Sequence, residues 1–140
     1  MPLSSVLLET LINEPDILKA CAPGYEQVYA EGFFTRPGNV IFGDFDGAIL
    51  FGFLEDGRYE GHYLFTRKLR GRDRIERCRD ALNYMFTVKN AFAIVGQTPR
   101  ENHAARVMNR ALGFRPTGVS KDQFGRDCIN YVLERRQWAV

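Results

Sequence analysis

Ala91-Phe92-Ala93-Ile94-Val95 is an unbroken apolar run lying between two amphipathic helical segments. A strand this apolar has to be covered on both faces, which places it inside a layered α/β arrangement. The unit around it, Tyr59 to Phe114, reads as a strand (Tyr59–Phe65), an arginine-crowded loop (Thr66–Asp73) and a helix (Arg74 to about Val88). A strand (Ala91–Gln97) and a second helix (Pro99–Leu112) follow, and the helix stops at Gly113-Phe114. Two strands joined through such a helix are expected to lie parallel, with a right-handed crossover. Thr98, Pro99 and Glu101 read as N-cap, first and third positions of the second helix. Ala105, Met108, Ala111 and Leu112 form its expected buried stripe.

Upstream, Ser4 or Ser5 is expected to cap a short helix through Leu11 or Ile12, and Pro15 to break it before a second, roughly Asp16–Ala20. The segment Tyr25–Phe34 carries Tyr25, Tyr29, Phe33 and Phe34. It reads either as a core flap or as a wall for a bound acceptor. Then come Asn39–Asp44, a turn at Asp46-Gly47, Ala48–Leu54, a turn at Asp56-Gly57 and the strand Tyr59–Phe65. This is an antiparallel meander whose strands are apolar enough to be central. Arg115–Lys121, a turn at Gln123–Gly125 and Cys128–Leu133 close the chain as a hairpin. Trp138 is expected to fold back on the domain or to join an interface.

One domain is expected from 140 residues. The net charge of +2 argues against a general polyelectrolyte binder. Cys21, Cys78 and Cys128 have neither metal-ligand spacing nor a disulfide framework, which suits a cytoplasmic setting. Cys78 and Cys128 fall among apolar positions and read as core. Met1 to Ser5 lacks the pattern of a signal peptide, and no apolar run approaches a membrane span.

The loop breaks a local rule. Seven basic residues (Arg67, Lys68, Arg70, Arg72, Arg74, Arg77 and Arg79) fall within one short stretch, and Arg70, Arg72 and Arg74 crowd a helix start, where the macrodipole disfavours cations. A bound anion would reconcile this, because a helix start presents free N–H groups. The other reading is a solvated basic face. Asp73 and Glu76 resemble a cap with its reciprocal partner, and both would repel a phosphate. A nucleic-acid binder is a third reading. The low net charge and the lack of aromatic stacking residues beside the run speak against it.

The order of elements resembles the GCN5-related N-acetyltransferase (GNAT) fold: a mixed, mostly antiparallel sheet with a central parallel pair, flanked by helices. Asn102-His103-Ala104-Ala105 through Leu112-Gly113-Phe114 is similar to that family's Asn-to-Gly-Phe block. Arg70-Gly71-Arg72-Asp73-Arg74-Ile75 stands where the family has its pyrophosphate loop. The resemblance covers about residues 39 to 135 of a single domain, with 1–38 as an acceptor-side segment.

What the resemblance implies is acetyl transfer from acetyl-CoA to an amine of a protein, peptide or small molecule. Backbone groups of Leu64, Phe65 and Thr66 would pair with the pantetheine arm. Amides of Arg70, Gly71, Arg72, Asp73, Arg74 and Ile75 would hold the pyrophosphate, and Arg67, Lys68 or Arg72 would steer the nucleotide. Asn102 would lie beside the pantetheine. The family often has a Tyr seven residues after that Asn as acid to the leaving thiolate; here the position is Asn109. Asp73 and Ile75 replace small residues of the loop, and Gln97 stands where some relatives have a Glu. Compact members with such loops include phage-encoded ones. The departures leave a second reading open, a GNAT-fold protein that acts by binding a partner protein. Homodimerisation is left open too.

Amine acylation needs a base, a polarised carbonyl and a proton for the thiolate. Glu60 and His62 lie two apart on one strand and share a face. They are candidates for general base, or else an outward polar face. Tyr131 is the candidate acid, since Tyr63 faces the other way from His62. His103 reads as a surface residue.

Overall fold

The computed structural model describes residues 4–138, so Met1 to Leu3, within the stretch expected to carry no signal peptide, lie outside it. The elements are α1 (Ser5–Ile12), α2 (Pro15–Cys21), α3 (Glu31–Thr35), β1 (Val40–Asp44), β2 (Gly47–Glu55), β3 (Arg58–Phe65), α4 (Gly71–Thr87), β4 (Ala93–Pro99), α5 (His103–Leu112), β5 (Arg115–Lys121), β6 (Asp127–Glu134) and α6 (Arg135–Trp138). The strands form one sheet in the order β1-β2-β3-β4-β6-β5. Only β3 and β4 run parallel; the other neighbours are antiparallel. This is the expected mixed sheet, with one correction: β1 lies at its edge rather than inside it.

Each face of the sheet carries its own core. On one, α4 and α5 bury Cys78, Leu82, Met85, Met108 and Leu112 against Ile49, Phe51, Tyr59, Ile94 and Leu133. On the other, Leu8, Leu11, Ile17 and Ala30 cover Ala48, Leu50 and Leu64. Strand alternation makes this division: Ile49 and Phe51 face one way, Ala48 and Leu50 the other. The N-terminal segment is tied to its core by side chains of α1 and its C-cap. Asn13 exchanges two bonds of 2.7 Å with Val28, and Glu9 accepts from Ala30 N–H at 3.0 Å. Phe33 and Phe34 pack on this core, while Tyr25 and Tyr29 are exposed. The aromatic segment is thus part core and part surface.

Several local expectations gave way to tertiary pairing. The first hairpin turns on Phe45-Asp46, because Asp44 Oδ1 accepts from Asp46 N–H and Gly47 pairs with Asp44. A Cβ on Gly47 would come within 2.5 Å of Phe65. Thr98 and Pro99 cap nothing: β4 stays paired with β6 through Pro99↔Cys128, so α5 begins later. Its N-cap is Asn102, whose side chain accepts from Ala105 N–H at 3.1 Å. Gly113 ends it at φ 95, a left-handed position that suits glycine. On the buried stripe of α5, Asn109 replaces the expected Ala111, which is exposed. Trp138 folds back on Phe86, with ring centroids 5.8 Å apart.

Candidate active site

The parallel pair is short. β3 and β4 are in register only at Arg58↔Ala93, Tyr59↔Ile94 and Glu60↔Val95, and beyond that the strands part. A cleft of about 400 Å³ occupies the gap. It is lined by β3 and β4, by Asn102, Ala105 and Asn109 of α5, by Tyr131, and at one mouth by Ala20, Cys21 and the turn Asp122–Phe124.

The gap leaves backbone groups without a neighbouring strand. Thr66 N–H donates to Asp46 O at 3.0 Å, on the β2 side. Alternation along an antiparallel pair then turns His62 and Leu64 toward β2, and Tyr63 and Phe65 toward the gap. Of the expected trio Leu64, Phe65 and Thr66, Phe65 alone presents its backbone there, joined by Tyr63. Leu64 instead buries its side chain in the N-terminal core.

Glu60 and His62 share the face covered by the N-terminal helices, and His62 Nε2 lies 2.8 Å from Glu60 Oε1. The hydrogen bond to His62 holds the Glu60 carboxyl below its ordinary value, against the opposing effect of burial. Both side chains are nearly half-exposed and line the cleft. Tyr131 pairs with Gly96 and sits two residues from Leu133, so it lies on the opposite, α4/α5 face. As a residue it is buried and lines the cleft; its hydroxyl makes no hydrogen bond among the described residues, where no fully buried side-chain polar atom lacks a partner, so that hydroxyl reaches the open cleft. The three candidates thus approach one gap from two sides of the sheet.

Tyr63 is engaged elsewhere. Its hydroxyl bonds Ala105 O at 3.0 Å and Asn109 Oδ1 at 2.9 Å, and Asn109 Nδ2 donates to Thr98 Oγ1 at 3.0 Å. Burial, and next the neighbouring Cys78 and Tyr131 groups, push its hydroxyl above the ordinary range. Burial also pushes the Cys78 thiol up to about 12, so this cleft-lining sulfur stays protonated and is a poor nucleophile.

The basic loop is partly structural. α4 begins at Gly71, three residues before the expected start, with Arg70 extended at the N-cap and no side chain capping the first turn. Asp73 therefore stands at the third helical position and caps nothing. Arg74 is not free for a phosphate: its Nε donates to Leu69 O at 2.6 Å and its Nη2 to Thr66 O at 3.0 Å, and its guanidinium lies 5.5 Å from the Phe65 ring centroid. It pins the loop and so fixes the early helix start. Ile75 packs on the core, away from the loop. Arg67 pairs with Asp16 and Arg77 with Asp44. Lys68, Arg70 and Arg72 are exposed and make no ion pair among the described residues. They flank or belong to the uncapped first turn of Gly71, Arg72 and Asp73 in the chain.

The cleft is bordered on this side by contacts that span the chain. Arg126 Nη1 donates to Ala20 O at 2.8 Å, its Nε bonds Asp122 Oδ2 at 2.8 Å, and it lies over Phe124. Tyr25 meets Phe124 edge-on at 5.7 Å. The sequence offers no signal for Arg126 and Ala20, which are far apart along it. Asn109 did leave one, a polar residue on an apolar helical stripe.

A spermidine N-acetyltransferase from Vibrio cholerae, in complex with CoA and spermine, superposes on all of this chain and 96% of its own, with TM-score 0.82 at 15% identity. This is the GNAT acetyltransferase fold. A GNAT-family acetyltransferase from Bacillus anthracis matches over 65% of this chain and 59% of its own, with TM-score 0.59 at 20% identity. The ribosomal-protein-S5-alanine acetyltransferase from Vibrio fischeri matches over 66% of this chain and 56% of its own, with TM-score 0.60 at 17% identity. No family model and no curated protein matches the sequence. At such identities the likeness is one of fold, so the reaction has to be argued from the site. No helix among the described residues is long and apolar enough to cross a membrane.

Proposed function

We propose that this GNAT-fold chain transfers an acetyl group from acetyl-CoA to an amine. The observation that carries the reading is the parted β3–β4 pair. It opens a cleft through the sheet in which Glu60 and His62 on one face, and the free hydroxyl of Tyr131 on the other, address the same gap. The GNAT-fold structure from Vibrio cholerae, solved with CoA, supports a CoA thioester as the donor.

In this reading the thioester arm lies in the gap, along the unpaired backbone of Tyr63 and Phe65. Asn102 stands at its side as the α5 N-cap. The pyrophosphate takes the uncapped first turn of α4, where Gly71, Arg72 and Asp73 offer N–H groups and Lys68, Arg70 and Arg72 supply charge. The exposed Asp73 opposes this and is outweighed by the three cations. The acceptor amine enters by the mouth beside Ala20 and the Asp122–Arg126 turn. The Glu60–His62 pair takes its proton, directly or through a water. The amine nitrogen attacks the thioester carbon, the tetrahedral centre collapses, and the carbon–sulfur bond breaks. Tyr131 donates its hydroxyl proton, or a hydrogen bond, to the departing thiolate and recovers from solvent.

The test is release of free CoA thiol from acetyl-CoA with a panel of polyamines, aminoglycosides and peptide N-termini, with acetylated product identified by mass. Turnover of one amine class supports the reading. Tight acetyl-CoA binding without turnover of any amine would favour the partner-binding alternative, to which the Asn109 substitution also points.

A further inference from the structure

We propose that Asn109 is a positioning residue that fixes the width of the β3–β4 gap, and through it the affinity for the thioester arm. The proposal rests on the reading that the gap takes acetyl-CoA. Past Glu60 and Val95, no register pair ties the two strands. Tyr63 lies three residues beyond Glu60, and Thr98 three residues beyond Val95. At about 3.3 Å per residue each is roughly 10 Å past the last rung. Asn109 is the link between them. One end of its amide takes the Tyr63 hydroxyl at 2.9 Å and the other gives to the Thr98 hydroxyl at 3.0 Å. The Tyr63 hydroxyl also lies 3.0 Å from Ala105 O, and its single proton serves both contacts when the Asn109 amide is turned so that Nδ2 donates to Tyr63 and Tyr63 donates to Ala105 O; both strands are then tied to α5.

The bridge needs a side chain with a donor and an acceptor, in a site where Asn109 is only 5% exposed. Flipping the amide preserves it, since either hydroxyl can donate or accept. Leucine keeps the branched shape, is larger and loses both bonds, and aspartate would bury a charge. The position from which a family member would project an acidic Tyr is occupied here by a strut. The polar lining this leaves in the cleft is spent on geometry, while Tyr131 remains unengaged.

The experiment is calorimetric titration of acetyl-CoA, and of the nucleotide fragment of CoA without its pantetheine arm, into the parent, Asn109→Leu, Thr98→Val and Thr98→Ser. Loss of a bond of this kind corresponds to about fivefold in affinity where the gap must be held open by other means. Asn109→Leu and Thr98→Val are expected to bind acetyl-CoA about fivefold or more weakly, with the fragment unaffected. KM for acetyl-CoA should rise in step while kcat at saturation changes less. Thr98→Ser keeps the hydroxyl and should bind like the parent. If Asn109→Leu fails to fold, the isosteric Thr98→Val and Thr98→Ser pair decides the matter. Equal acetyl-CoA affinity in Thr98→Val and the parent, or parallel loss of fragment binding, would overturn the strut alone. A parent that binds no acetyl-CoA would overturn the acyl-CoA reading and the strut with it.

Discussion

His62 Nε2 lies 2.8 Å from Glu60 Oε1, two residues apart on one face of β3, where that strand leaves β4. The contact makes the pair one proton-accepting unit. Glu60→Gln or His62→Gln should lower kcat by about a hundredfold, the lower end of what a general base contributes. The dissociation constant for acetyl-CoA should stay within a factor of about two, because neither residue faces the expected phosphate seat. Stopped kinetics with a titrated cofactor separates the two quantities; equal losses in both would argue against a base role.

The pairing also predicts a pH effect on stability. The folded Glu60 carboxyl is held below its ordinary value of 4.5 by His62. A depressed carboxyl contributes its full stabilisation above the ordinary value and loses it as pH falls through the lower folded value. Parent and Glu60→Gln should therefore differ most above the ordinary carboxylate value and converge as the pH falls through the lowered folded one. Denaturant titrations across that range check the sign. The size will be small, since both side chains are nearly half-exposed.

Tyr131 offers a cleaner test of proton delivery. Its hydroxyl opens on the cleft and makes no hydrogen bond among the described residues, so Tyr131→Phe should leave the fold intact. The expected loss is about tenfold to a hundredfold in kcat with little change in affinity. An unchanged rate would remove Tyr131 from the mechanism.

The latch at the cleft mouth predicts acid sensitivity of another kind. Burial raises the Asp122 carboxyl, but N–H groups of Arg126 and Phe124 and the Arg126 guanidinium outweigh it and leave it below its ordinary 3.8. The latch is fully formed above that value and weakens as pH falls through the lower folded one. Arg126→Leu should lower the unfolding midpoint by a few degrees at neutral pH and free the α2 end from the Asp122–Arg126 turn. Hydrogen exchange at residues 18–25 should then rise relative to β4, and unchanged protection would contradict the latch.

Much of the fold was legible because it rests on periodicity. The α4 stripe and the turns at Asp56-Gly57 and Gln123–Gly125 appear where periodicity and turn residues put them, whereas the strand expected from Ala91 begins at Ala93, the first hairpin turns one residue early and Asn109 displaces Ala111 on the α5 stripe. Where local chemistry competed with strand pairing, pairing prevailed: Thr98-Pro99 reads as a helix start but is held by β6, and Asn102 caps in its place. The arginine run misled in the same way, since charge counting cannot show that Arg74 is turned inward onto Thr66 O and Leu69 O. Glu60 and His62 could be paired from their spacing alone. Tyr131 could not be assigned to the far face, because that depends on the β4–β6 register. The Tyr63–Asn109–Thr98 bridge joins three elements, and the only trace of it in the chain is a polar residue on a buried stripe.

The most direct test of the account is thermal unfolding of the parent and of an Arg70→Glu, Arg72→Glu variant, each with and without acetyl-CoA. Both arginines are exposed, so the variant should fold. A ligand at a hundred times its dissociation constant stabilises by about 2.7 kcal/mol, enough to raise the midpoint by several degrees. The account predicts that rise in the parent and its loss in the variant. No rise in the parent at millimolar acetyl-CoA would contradict it.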